Sequence, residues 1–113
     1  MIILSLPLKK EWYNMIESGI KDEEYREIKQ YWIKRLCLYA DTLMRCVDCD
    51  SLFMCDLCFE PYKYTHVRFR YGYTKRTMLR EIESITIGYG KPEWGAPNDR
   101  KVFIIKFKKG GEE

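Results

Sequence analysis

Acidic residues are missing from one stretch of this chain. Residues 61–80 carry six bases (Lys63, Arg68, Arg70, Lys75, Arg76, Arg80) and no aspartate or glutamate. The remainder holds fourteen bases against seventeen acids, so a single segment carries all the positive excess behind the net charge of +3. A basic stripe of this kind suggests an anionic partner, with nucleic acid the first candidate. Charge alone equally allows a solvated basic face. Histidine is nearly absent: His66 is the only one, which excludes a His-rich catalytic or metal site. Long apolar runs are absent too. The longest, residues 1–6, is of strand length, far short of the roughly 20 residues that a membrane helix needs, so no membrane partner is expected. The N-terminus has no charged region, sustained apolar stretch or small-residue cleavage site, so no signal peptide is expected and the cytoplasm is the expected compartment.

What is present is enough for a core. With 113 residues, 46% of them hydrophobic and 33% charged, the chain reads as one globular domain, residues 1–113, that needs no disulfides. "IILSLPLK" opens as a buried strand expected to end near Leu6, because Pro7 breaks it. Residues 9–17 set Trp12, Met15 and Ile16 at helical spacing, with Gly19 as the stop. "KDEEYREI" follows, and an undistorted strand there would put Glu24, Arg26 and Ile28 on one face and Lys21, Glu23, Tyr25 and Glu27 on the other. Residues 31–38 suit a second short helix packing Trp32 and Leu36 inward, with Cys37 in its core side. Residues 41–60 hold four of the five cysteines without a clean period and read as an insertion.

Beyond the insertion the pattern turns to strands. "YKYTHVRFRYGY" alternates, with Tyr64, His66, Arg68 and Arg70 on one face and Val67, Phe69 and Tyr71 on the other. Residues 77–87 read as a strand whose Leu79, Ile82, Ile85 and Ile87 break strict alternation and suggest a bulge. "GYGKPEWGAPNDRK" is turn chemistry, and "KVFIIKFK" is apolar enough to be a central strand. The order β, α, β, α and then several β fits an α+β fold built on a small curled sheet or barrel, with two short helices near the N-terminus.

The stretch "SGIKDEEYREIKQYW" packs four acids, three bases and three aromatics into fifteen positions. Within it stand Gly19, Lys21, Glu24 and Arg26, the pattern Gly-x-Lys-x-x-Glu-x-Arg. On those residues, and on the later "IESITIGYGKPEWGAP" before a last apolar strand, the chain resembles the ASCH domain family, in particular its small prokaryotic and phage members. The resemblance spans most of the chain except the cysteine-rich insertion. It implies a PUA-like β-barrel with a cleft beside the first helix that binds RNA or a nucleotide. A few small relatives are hydrolases, acting on acetylated cytidine or on RNA.

Read as residues alone, Gly19 is a helix cap and Lys21 an exposed lysine at the carbonyl end of that helix, which favours cations. The resemblance implies instead that Lys21, Glu24 and Arg26 line the cleft. There a carboxylate would accept from an exocyclic amine and a guanidinium would grip phosphate or carbonyl oxygen. Lys21 with Glu24 could equally move protons if burial brings the lysine towards neutrality. The hydrolase reading meets an objection: in the amidohydrolase relatives a threonine fills the position of Glu24 and serves with the lysine. Those relatives add a later glutamate, for which Glu81 or Glu83 would be the candidates here.

"PYKYTHVRFRYGYTKR" interleaves tyrosines and Phe69 with five bases and His66. Single-stranded nucleic acid is often held in this way, with bases on rings and phosphates on cations. Tyr64, Arg68 and Arg70, with Lys75 and Arg76 beyond them, are the candidate contacts, and edge charges that discourage aggregation are the competing account. His66 is expected to have no catalytic role. Trp94 either anchors its loop or walls the cleft. Cys46, Cys49, Cys55 and Cys58 form two Cys-x-x-Cys pairs that could hold a structural zinc, or stay reduced and pack as small hydrophobes. Three readings follow: an RNA- or nucleotide-binding domain, a small hydrolase using Lys21 and a carboxylate, or a module whose insertion meets a protein partner.

Overall fold

The computed structural model describes residues 1–38 and 60–109. The described residues are α+β: they form five strands in one sheet, ordered β1-β3-β4-β5-β2, and two helices. The elements are β1 (Ile3–Leu8), α1 (Lys10–Glu17), β2 (Glu23–Arg26), α2 (Gln30–Leu36), β3 (His66–Tyr71), β4 (Thr77–Gly88) and β5 (Val102–Phe107). Among the described residues no helix is long and apolar enough to cross a membrane. The chain divides into two compact units, one of Met1–Glu24, Tyr64–Ser84 and Ile105–Glu113, the other of Tyr25–Lys63 and Ile85–Ile104.

In the first unit β1 runs parallel to β3, with Ile3 opposite His66 and Leu8 opposite Tyr71. A parallel pair needs a long crossover, and the helices, β2 and the insertion all lie between these two strands in sequence. β3 and β4 are antiparallel, with Arg70 opposite Thr77. Alternation then sorts the side chains: Leu4, Leu6, Leu8, Val67 and Phe69 are buried, while Ser5, Pro7, Arg68 and Arg70 are exposed. Each fully buried Leu or Phe contributes roughly 1.5–3 kcal/mol. The Phe69 and Phe107 rings meet edge-on at 4.9 Å, and Tyr13 and Tyr71 at 5.1 Å.

Several sequence expectations are corrected here. β1 does not end at Leu6 but runs through Pro7 to Leu8. It is an end strand with a ladder on one side only, so an exposed proline is tolerated. In α1 the buried stripe is Tyr13 and Ile16, with Trp12 and Met15 only half-buried. β4 is one continuous strand of 12 residues whose exposed positions shift phase between Glu83 and Thr86, where the apolar pattern pointed to a bulge.

In the second unit α2 buries Ile33 and Leu36. Cys37 is not helical: it caps α2 in an extended conformation and bridges Pro61. Its thiol is buried and free, and burial pushes its pKa up to about 11, so it stays protonated and unreactive at neutral pH. The turn-rich loop folds around a single 3₁₀ turn, Pro92–Trp94, closed by Gly95 at φ 99°. Tyr25 Oη accepts the Lys91 amide at 3.0 Å. A Cβ on Gly90 would lie 2.5 Å from the Tyr25 ring and 2.7 Å from Ala96, so this close approach requires glycine.

Candidate functional site

The Gly-x-Lys-x-x-Glu-x-Arg stretch begins at the end of α1. Ile20 N–H donates to Met15 O at 2.9 Å and Gly19 N–H to Ile16 O at 3.1 Å, with Gly19 at φ 86°. This is the Schellman closure, which satisfies the last helical carbonyls and reverses the chain. Lys21 N–H also reaches Met15 O, at 3.1 Å. The reversal sends the Lys21 side chain inward, so the lysine that residue-level reading leaves exposed at the helix end is only 1% exposed.

There Lys21 Nζ donates to Glu24 Oε1, and Glu24 is itself only 6% exposed. The ammonium also lies 5.1 Å from the Trp12 ring centroid. Strict alternation separates these two residues onto opposite faces, and it fails because Lys21 precedes β2 and because Glu24 and Tyr25 are buried as neighbours within it. Two charges withdrawn from water need each other, since desolvation of either alone is expensive. Arg26 belongs to the second unit, where its Nη1 donates to Tyr25 O at 2.7 Å and its guanidinium lies 5.3 Å from the Trp32 ring.

The other candidates are arranged differently. Arg68 and Arg70 project from the exposed face of β3 into a groove of about 310 Å³, lined by Ser5, Leu6, Pro7, Arg68, Arg70 and Thr77. Strand register builds it: Ser5 lies opposite Arg68, Pro7 opposite Arg70, and Thr77 opposite Arg70 on the other side. Among the described residues this lining holds two cations, two hydroxyls and no acid.

A second hollow, of about 470 Å³, shares Pro7 with the first and is lined further by Leu8, Lys9, Lys10, Glu11, Gly72 and Tyr73. The Lys10 stem passes the hairpin glycine Gly72, and its ammonium lies 5.3 Å from the Tyr71 ring. Lys9, Lys10 and Tyr73 were not singled out from sequence. The signal was there in part, because two lysines follow β1 directly and Tyr73 follows the glycine that ends β3.

The remaining candidates are scattered. Lys75 is exposed in the β3–β4 turn. Arg76 is engaged within the fold: its Nη2 donates to both Glu17 oxygens at 2.8 Å, and its guanidinium lies over Tyr71 and Tyr13 at 4.9 and 5.3 Å. The hydrogen bond and charge of Glu17 raise its pKa further above the ordinary arginine value. Tyr64 and His66 are half-buried, and His66 Nδ1 sits 2.8 Å from Thr65 Oγ1.

Trp94 is 9% exposed with Lys91 Nζ 4.2 Å above its ring, which is the anchoring of a loop. Glu81 and Glu83 are exposed on β4, and Glu81 faces the Lys108 ammonium at 3.4 Å rather than the buried lysine. Cys46, Cys49, Cys55 and Cys58 lie outside the described residues. No family model, no curated protein and no solved structure matches the chain.

Proposed function

We propose that this protein is an ASCH-type, PUA-like domain that binds RNA or a nucleotide through the basic face of β3. The observation that carries the reading is the groove over Arg68 and Arg70. Its lining pairs two guanidiniums with two hydroxyls and offers no carboxylate to repel a phosphate. Both arginines of the groove, with Thr77, come from the one segment that holds the chain's positive excess. Phosphate oxygens accept from both groups, and such contacts hold a strand without reading its sequence.

The motif residues take a supporting part in this reading. Lys21 and Glu24 neutralise each other in the interior and fix the link from α1 to β2. Structural zinc on the four cysteines of the insertion belongs to the same proposal, whereas a protein partner that meets this insertion is a separate reading. A hydrolase reading draws support from one feature, a buried lysine held against a carboxylate.

End-labelled single-stranded RNA mixed with the wild type, with the Arg68→Ala/Arg70→Ala variant and with a Glu24→Gln variant shown by thermal melting to be folded, run on native and denaturing gels, separates these readings. A shift of intact RNA that is lost in the variant supports binding. Shortened RNA that persists in the arginine variant but disappears with Glu24→Gln makes the protein a nuclease. An unchanged mobility and an unchanged length refute both.

A further inference from the structure

We infer that the groove takes an extended single strand of RNA rather than a duplex, with consecutive phosphates on Arg68 and Arg70 and an unpaired base stacked on Tyr73. This rests on the RNA-binding reading above and adds the form of the RNA and its direction across the protein. Arg68 and Arg70 are two residues apart on one face of β3, which sets their Cα atoms about 6.6 Å apart along the strand. That stride is comparable to the six-bond sugar–phosphate repeat of an extended chain, so neighbouring phosphates can meet neighbouring arginines. Beyond Arg70 the path crosses Pro7 into the second hollow, where Lys9 and Lys10 supply two more cations beside a single acid, Glu11.

Tyr73 stands at the end of that path and is 96% exposed, more than any other large apolar side chain among the described residues. An exposed ring offers a face to a nucleobase, and along the length of a strand a base can lie flat on it only once it has left the stack of a duplex. The tip that carries it is tied down. Thr74 Oγ1 donates to Tyr71 O at 2.6 Å, and Tyr71 N–H donates to Arg76 O at 2.9 Å. The Arg76 guanidinium is clamped to Glu17 of α1 at 2.8 Å. Thus the backbone that carries Tyr73 is fixed before any ligand arrives, and the ordering penalty of binding is confined to the rotation of its side chain.

The test is fluorescence anisotropy with a short labelled oligouridylate, a fully paired RNA duplex, and uridine monophosphate as competitor. It uses the full chain as wild type, Tyr73→Ala, Tyr73→Phe and Arg68→Ala/Arg70→Ala. The proposal expects the single strand to bind tighter than the duplex and the mononucleotide to compete poorly. Tyr73→Ala should weaken the single strand about tenfold or more, while Tyr73→Phe keeps the ring and the affinity. Thermal melting should be the same for the Tyr73 variants and nearly so for the arginine variant, because all three side chains are exposed.

A loss in the arginine variant with no change in Tyr73→Ala overturns the stacked base and leaves the binding reading standing. Equal affinity for the duplex overturns the single-strand assignment in the same way. A wild type that binds neither RNA overturns the binding reading itself, and this inference with it.

Discussion

Two pairs of charged side chains in the same unit occupy opposite environments. Lys21 and Glu24 are 1% and 6% exposed and engage each other. Arg68 and Arg70 stand on an open groove beside two hydroxyls. The charges of the first pair are cancelled where they stand, and what they determine is the local path of the chain. Those of the second keep their field, screened in physiological salt over about 8 Å. Burial, more than residue type, therefore separates the charges that hold the fold from those that can hold a ligand.

The largest test of this contrast removes half of the buried pair. Lys21→Met removes the buried ammonium that engages the Glu24 carboxylate, and should lose about 3–5 kcal/mol of stability in urea or thermal unfolding. Adding Glu24→Leu, which removes the buried carboxylate and restores apolar volume, should recover most of that loss. If Lys21→Met melts like the wild type, the pair is not structural and the contrast collapses.

The groove predicts the reverse behaviour. Arg68→Ala and Arg70→Ala touch exposed positions, so each should move stability by no more than about 0.5 kcal/mol. Each should instead weaken single-stranded RNA about tenfold. For the double variant, the slope of log affinity against log salt should become shallower by about 1.4, the counterions released by two phosphate contacts to a single strand. Lost affinity with an unchanged slope would mean that the arginines act on the fold instead of on phosphates.

Much of this division could be read from the sequence, and the exceptions share a cause. The alternation of β3 fixes Arg68 and Arg70 outward and Val67 and Phe69 inward, because one face of that strand is buried and a slip of one residue would bury arginine. Composition shows the acid-free segment directly. Lys21 was not legible in this way. Its direction depends on the left-handed turn at Gly19 and on where β2 begins, and periodicity carries neither. Tyr73 escaped notice because rings nearby in sequence, such as Tyr71, pack against the fold, and only the hairpin geometry separates the two. Pro7 misled in the opposite sense: a proline ends a strand that has two neighbours, but not one that lies at the end of the sheet.

The last test probes the turn that sets the buried pair. Gly19 has φ 86°, and a Cβ placed there would meet nothing within 4 Å, so Gly19→Ala adds backbone strain without a clash. A single non-glycine residue in the left-handed region loses about 1–2 kcal/mol. If Lys21 keeps its place, the strain stays in the Gly19 backbone and leaves the Lys21–Glu24 contact as it is, so that loss should be the same in the wild type and in the Lys21→Met/Glu24→Leu background. If the turn relaxes to escape the strain, Lys21 leaves the interior. The loss in the wild-type background then approaches that of Lys21→Met and shrinks once the pair is gone. RNA affinity stays unchanged in either case, since the turn does not contribute to the groove. A fall in affinity with Gly19→Ala would show that the buried pair and the open groove are coupled after all.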